Sequence, residues 1–133
     1  MRVLAFLAGE ERYLVRLDAV RAVVRLRGLR RLPGSAGALA GVLDVQETTV
    51  AIYDTRAPGA PSEGGDVLVL AAGWPDHAVG VACDKVEGLL EVPDVPGPSR
   101  TALPTYVEAM LHVDGALVPL VDVVGLAEAG ISQ

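Results

Sequence analysis

The sequence predicts an all-β fold with short helical turns, arranged as two small similar lobes within one domain. Three observations predict it. The chain repeats itself: residues 42–54 (VLDVQETTVAIYD) align without a gap on residues 110–122 (MLHVDGALVPLVD) at an offset of 68. Residues 15–20 match 81–86 at an offset of 66, and residues 3–6 match 67–70 at 64. Matches in the same order at drifting offsets are what a duplicated β unit with small loop changes leaves behind. Short apolar runs separated by turn residues repeat along the chain. Finally, 51% of the residues are hydrophobic but only 4% aromatic, so the core is filled by Val, Leu and Ala, a supply that suits many short strands. At 133 residues the lobes are too small to be stable apart and must lean on one another.

The elements follow in order. Residues 3–8 form an apolar run that ends at Gly9-Glu10-Glu11, and residues 13–17 resume it, the pattern of a hairpin. Asp18 suits a helix N-cap, so one helical turn is expected before a strand over 23–26. The same pattern recurs over 84–92. Pro33 and three glycines make 29–41 a crossing loop with one helical turn around 36–40. Residues 55–66 (TRAPGAPSEGGD) hold no branched aliphatic side chain and join the repeats, giving lobes of 1–54 and 67–126. Residues 93–105 carry four prolines and form a second connector, long enough to cross between lobes and exchange strands. The tail 123–133 has helical potential only around 126–129.

Charge is uneven. Residues 1–31 hold eight Arg against three acidic residues, and the remainder holds three basic against fourteen acidic. The cluster Arg21, Arg25, Arg27, Arg30 and Arg31 either forms a patch for an acidic partner or occupies solvated positions paired with the acidic second half. The opening MRVLAFLAG is too short for a secretory h-region, and no uninterrupted apolar stretch reaches membrane-spanning length, so a cytoplasmic protein is expected. Cys83 lies in an apolar run and reads as a small buried hydrophobe. His77 and His112 lack metal-site spacing. There is no phosphate-binding glycine loop and no nucleophile elbow. Asp54 and Asp122 are symmetric, each ending a strand as a turn-capping residue. Neither catalysis, nor a cofactor, nor a metal is expected.

The strings Gly9-Glu10-Glu11-Arg12-Tyr13, Val20-Arg21-Ala22-Val23-Val24, Arg31-Leu32-Pro33-Gly34, Gly41-Val42-Leu43-Asp44-Val45, Val50-Ala51-Ile52-Tyr53-Asp54, Val79-Gly80-Val81 through Gly88, and Val113-Asp114-Gly115 through Asp122 fall in the order seen in the CheW family. The chain resembles that family over nearly its whole length. The resemblance implies two small SH3-like five-stranded β-barrel subdomains packed on a shared hydrophobic interface. It also implies an adaptor of bacterial chemosensory arrays, coupling the cytoplasmic domain of a chemoreceptor (a methyl-accepting protein) to the regulatory domain of a CheA-type histidine kinase. Its receptor-side positions correspond here to Val20, Arg21, Ala22, Gly41, Gln46, Glu47 and Gly80.

Two stretches depart from the family pattern. Where the family reads Asn-Leu-Arg-Gly, this chain has Asp44-Val45-Gln46-Glu47, and where it often carries Glu in Val-x-Glu-Val, this chain has Ala22 beside Arg21. Two alternatives therefore stand beside the coupling adaptor. One is an adaptor that keeps a single partner; the other is a small β-barrel that binds a ligand or nucleic acid, disfavoured because aromatic platforms for stacking bases are missing.

Overall fold

The computed structural model describes residues 1–31, 39–56, 63–94, 106–123 and 125. Ten strands, β1 (Arg2–Ala8), β2 (Glu11–Arg16), β3 (Val20–Arg25), β4 (Leu39–Val45), β5 (Thr48–Asp54), β6 (Asp66–Leu70), β7 (Val79–Cys83), β8 (Lys85–Glu91), β9 (Val107–Val113) and β10 (Ala116–Val121), build two five-stranded sheets. The first lobe has the order β8-β1-β2-β10-β9 and the second β3-β6-β7-β5-β4. In the second, the chain beyond β3 returns to β4 through paired hydrogen bonds between Arg30 and Val42, 2.9 and 2.8 Å, which draws the sheet into a barrel.

The lobes do not follow the sequence halves. Equating β1–β5 with β6–β10 in order, each sheet takes two strands from one copy and three from the other. The sheets thus depart from the boundaries 1–54 and 67–126 and show the strand exchange allowed for above: β1 and β2 join β8, β9 and β10, and β3, β4 and β5 join β6 and β7. Register shows how closely the copies correspond. Val3 pairs with Arg16 as Val67 pairs with Ala82. Leu120 meets Leu14 as Ile52 meets Gly80, both in parallel ladders. The irregularity between Leu39 and Gly41 recurs between Val107 and Ala109, and that between Ala5 and Phe6 recurs between Val69 and Leu70.

Connection length imposes the exchange. Only Asp84 separates β7 from β8, so the chain leaves one sheet and enters the other within a residue. Asp84 is held on arrival: its N–H donates to the Leu7 carbonyl at 2.8 Å, and its carboxylate accepts the Gly9 N–H at 2.8 Å. Nearby, the buried Asp66 accepts from Arg25 at 3.1 Å and from the Val86 N–H at 2.8 Å, tying the two lobes where the chain crosses.

Alternating side chains sort into three cores. Val3, Ala5, Leu14, Val113, Val118 and Leu120 fill the first lobe. Leu43, Val45, Val50, Ile52, Val67, Val69 and Ala82 fill the second. Between them, Phe6, Val15, Leu68, Leu70, Val81, Cys83 and Val121 form a shared core. Strands whose two faces are both buried read as continuous apolar runs, and β6 is buried at every residue. The edge strands β3 and β8 alternate strictly between half-buried and exposed.

Local expectations fared unevenly. The helical turn near Asp18 exists as a single 3-10 turn, Leu17–Ala19, but Asp18 lies inside it, the capping position is Arg16 without a side-chain cap, and β3 starts at Val20. No helical turn follows Asp84, because β8 begins at once. Leu39 and Ala40 open β4 where a helical turn was expected; the rest of that turn, and the tail helix at 126–129, lie outside the described residues. Asp54 does cap its strand, accepting the Arg56 N–H at 2.9 Å and binding its guanidinium at 2.9 and 2.7 Å.

One ladder differs between the copies. Ala51 donates its N–H to the Ala78 carbonyl at 3.0 Å, starting a four-pair parallel ladder with β7. Its counterpart is Pro119, which has no N–H to give, and there β10 and β2 share a single pair. Ala51→Pro should therefore lower unfolding free energy by about 2 kcal/mol, whereas Pro119→Ala should change it by less than about 1 kcal/mol; urea titration of both variants checks this.

Burial in the shared core pushes the Cys83 thiol up to about 12 from an ordinary 9.0, with Asp66 and Asp84 adding to the effect. Once unfolded, the thiol ionises near its ordinary value, so the stabilisation is complete below pH 9 and is lost as pH rises toward about 12. The loss reaches on the order of 4 kcal/mol by pH 12. Denaturation midpoints should fall steadily over that window, and native Cys83 should resist alkylation until denaturant is added.

Candidate functional site

All seven positions expected on the receptor side fall in the second lobe, spread over three strands and one turn. Val20, Arg21 and Ala22 open β3, an edge strand; Gly41 lies on β4 and Gln46-Glu47 turns into β5 at the opposite edge; Gly80 lies within β7. Val20 is half-buried against the shared core and Ala22 against the core of its own lobe. Only Arg21, Gln46 and Glu47 are exposed.

The two glycines answer to packing. A Cβ on Gly41 would sit 2.3 Å from the Arg30 carbonyl oxygen, at the point where the barrel closes. One on Gly80 would meet Val67, Ile52 and Val50 at 2.8, 3.0 and 3.3 Å. Both glycines are buried, so neither offers a side to a partner. Sequence alone marks such positions as glycine without revealing the distant backbone or side chains that demand it.

The turn between β4 and β5 is strained. Gln46 and Glu47 have φ of 50° and 64°, the left-handed values of the tight hairpin turn that favours Asn-Gly or Asp-Gly. The equivalent turn of the second copy is Asp114-Gly115, at 49° and 82°, and meets that preference. Side chains with a Cβ adopt this conformation at a cost of about 1 kcal/mol or more each. The strand leading into the turn is braced: Asp44 accepts from Arg30 at 2.9 Å and from Thr49 at 3.3 Å. The turn thus presents an amide and a carboxylate to solvent on a fixed hairpin.

At the other edge, the guanidinium of Arg21 lies 4.3 Å from the centroid of the Trp74 ring. Trp74 also packs partly on the second lobe's core, in the loop between β6 and β7. Arg and Trp are the residue types that dominate binding energetics at interfaces. Trp74 was legible from sequence only as a turn residue; that Arg21 lies over its ring required the pairing of β3 with β6.

Residues 2–130 match the CheW-like domain. The chain belongs to that family. The crystal structure of the scaffolding protein TtCheW from Thermoanaerobacter tengcongensis has a similar fold, with a TM-score of 0.74 at 17% identity, covering 91% of this chain and 88% of that one. No curated protein matches. As expected for a CheW-like domain, the architecture is all-β in two five-stranded sheets. Among the described residues, no group of three or more His, Cys, Asp and Glu is placed to hold a metal. No described helix is long and apolar enough to cross a membrane.

Relaxing the β4–β5 turn tests whether its strain is retained for a reason other than stability. Glu47→Gly should raise unfolding free energy by about 1 kcal/mol, and Gly115→Ala should lower it by a similar amount, measured by thermal or urea denaturation.

Proposed function

We propose that this chain is a non-catalytic adaptor of a bacterial chemosensory complex in the cytoplasm, coupling a chemoreceptor's cytoplasmic domain to the regulatory domain of a CheA-type histidine kinase. Membership of the CheW-like domain family over residues 2–130 carries this reading. Receptor contact is assigned to the second lobe, through the exposed members of the expected set: Arg21 on β3 and Gln46-Glu47 at the turn. Coupling of this kind needs two rigid binding faces and no chemistry, and a molecule whose lobes share one core holds such faces in fixed relation.

A specific observation favours a second reading, an adaptor with one partner only. At the turn, the long cation of the family pattern is a neutral amide and the glycine is a carboxylate, and Ala22 is half-buried where Glu is common. Removing a charge-assisted hydrogen bond from an interface costs roughly 1.5 to 3 kcal/mol, or about ten- to a hundredfold in affinity.

Both readings are decided by incubating the protein with a purified receptor cytoplasmic fragment and, separately, with a kinase regulatory domain. Capture by both supports coupling; capture by one alone, receptor or kinase, supports the second reading; capture by neither overturns both. In the coupling case, Gln46→Arg combined with Glu47→Gly should tighten receptor binding about tenfold.

A further inference from the structure

The loop between β6 and β7, residues 71–78, stands at the end of the second lobe where β3 begins and where the β4–β5 turn lies. Val20, at the start of β3, pairs with Leu70, at the end of β6. Beyond the loop, β7 opens at Val79 beside Ala51 in the parallel ladder with β5, and β5 itself begins directly after Gln46-Glu47. The start of β3, the loop and the turn therefore share one end of the sheet. The loop is fastened there: the Ala71 N–H donates to the Ala19 carbonyl at 3.0 Å, the His77 N–H to the Gly73 carbonyl at 2.7 Å, and the Ala51 N–H to the Ala78 carbonyl at 3.0 Å. Trp74 lies between these ties, packed partly on the lobe's core, so its ring is in position before any partner arrives.

We infer that Arg21 seated on Trp74 is the anchor of this end of the lobe and takes an acidic side chain of the chemoreceptor's cytoplasmic domain; the inference rests on the reading that the second lobe binds a receptor. Six described arginines, Arg2, Arg12, Arg16, Arg25, Arg30 and Arg56, hold a carboxylate at 3.8 Å or less. Arg21 holds a ring instead, its guanidinium carbon 4.3 Å from the Trp74 centroid. An aromatic ring attracts the cation and limits its rotamers without supplying the carboxylate oxygens that a guanidinium fork fits. The N–H donors of Arg21 are thus held in place for an incoming acid, and a bidentate pair of that kind is among the strongest polar contacts an interface can make. The ring contributes area as well, since Trp and Arg together are the residue types that carry most binding energy. Across the same end, Glu47 stands exposed on its turn and offers the opposite charge. A receptor segment fits this end with an acid facing Arg21 and a base facing Glu47, and the reverse arrangement is repelled at both places.

The chain has a single tryptophan, so its emission reports this surface alone. Titration with a tryptophan-free receptor cytoplasmic fragment should shift that emission to shorter wavelength as the ring loses water. Arg21→Ala should weaken receptor binding about tenfold, and Arg21→Glu about a hundredfold. Among receptor fragments with single acids replaced by lysine, one should bind the wild-type chain weakly and recover binding to Arg21→Glu. Trp74→Phe keeps a ring on the core but offers the cation a weaker face; it should cost about threefold with Arg21 present and nothing in an Arg21→Ala background. Wild-type affinity in Arg21→Glu, an emission that does not move at saturation, no lysine fragment that recovers binding, or a Trp74→Phe effect of equal size in both backgrounds would overturn the inference while receptor binding itself stands. A wild-type chain that captures no receptor overturns the receptor reading and the inference with it, so the two failures are told apart. Arg21 is exposed and its variants leave the core untouched; circular dichroism of each variant confirms that it is folded.

Discussion

Everything in this molecule depends on the core that the two lobes share. Phe6, Val15, Leu68, Leu70, Val81, Cys83 and Val121 are removed from water only because each lobe presents a second apolar face to the other. A five-stranded sheet with one buried face suffices for many small domains, but here β1, β2, β6 and β7 send side chains to both sides. At roughly 25 cal/mol per Å² of apolar surface, separating the lobes would expose a face neither can spare. Tyr13 extends this seam, stacking on Phe6 at 5.6 Å, and burial raises its phenol above the ordinary range, with the nearby Glu11 adding to the effect.

The shared core also explains what sequence could and could not reveal. Two-sided burial turned β1, β6 and β7 into unbroken apolar runs, and duplication wrote the repeated segments twice, so these strands and the first hairpin were legible, whereas five strands to a lobe followed only from the family resemblance. Which copy pairs with which was not, because equivalent strands have nearly identical patterns and either assignment satisfies them. The single residue between β7 and β8 settles it, and its meaning emerges only once both strands have sheets to join. Near 39 and 40, small residues beside glycine suggested a helical turn; pairing with β5 and the return of Arg30 overrode that propensity.

Of the site, the turn was the legible part. Gln46-Glu47 stands out against Asp114-Gly115 on the alignment alone, and the backbone there adopts the conformation that makes the difference costly. Gly41 and Gly80 were recognisable as positions but not as packing devices, since the groups that exclude a side chain come from residues 30, 50, 52 and 67. The Arg21 and Trp74 contact joins residues distant in sequence through the β3–β6 pairing and left no local signal.

The exchanged strands have a consequence for the molecule's origin. A single ancestral repeat would have owned two strands of one sheet and three of another, and a two-stranded ribbon does not hold together alone in water. Two identical repeats, each lending three strands to its twin, would have formed a symmetric pair with both sheets complete. Fusing them into one chain would remove the concentration dependence of that assembly and free the twins from identity. The unequal turns at 46–47 and 114–115 are a difference that a symmetric ancestor had no means to express.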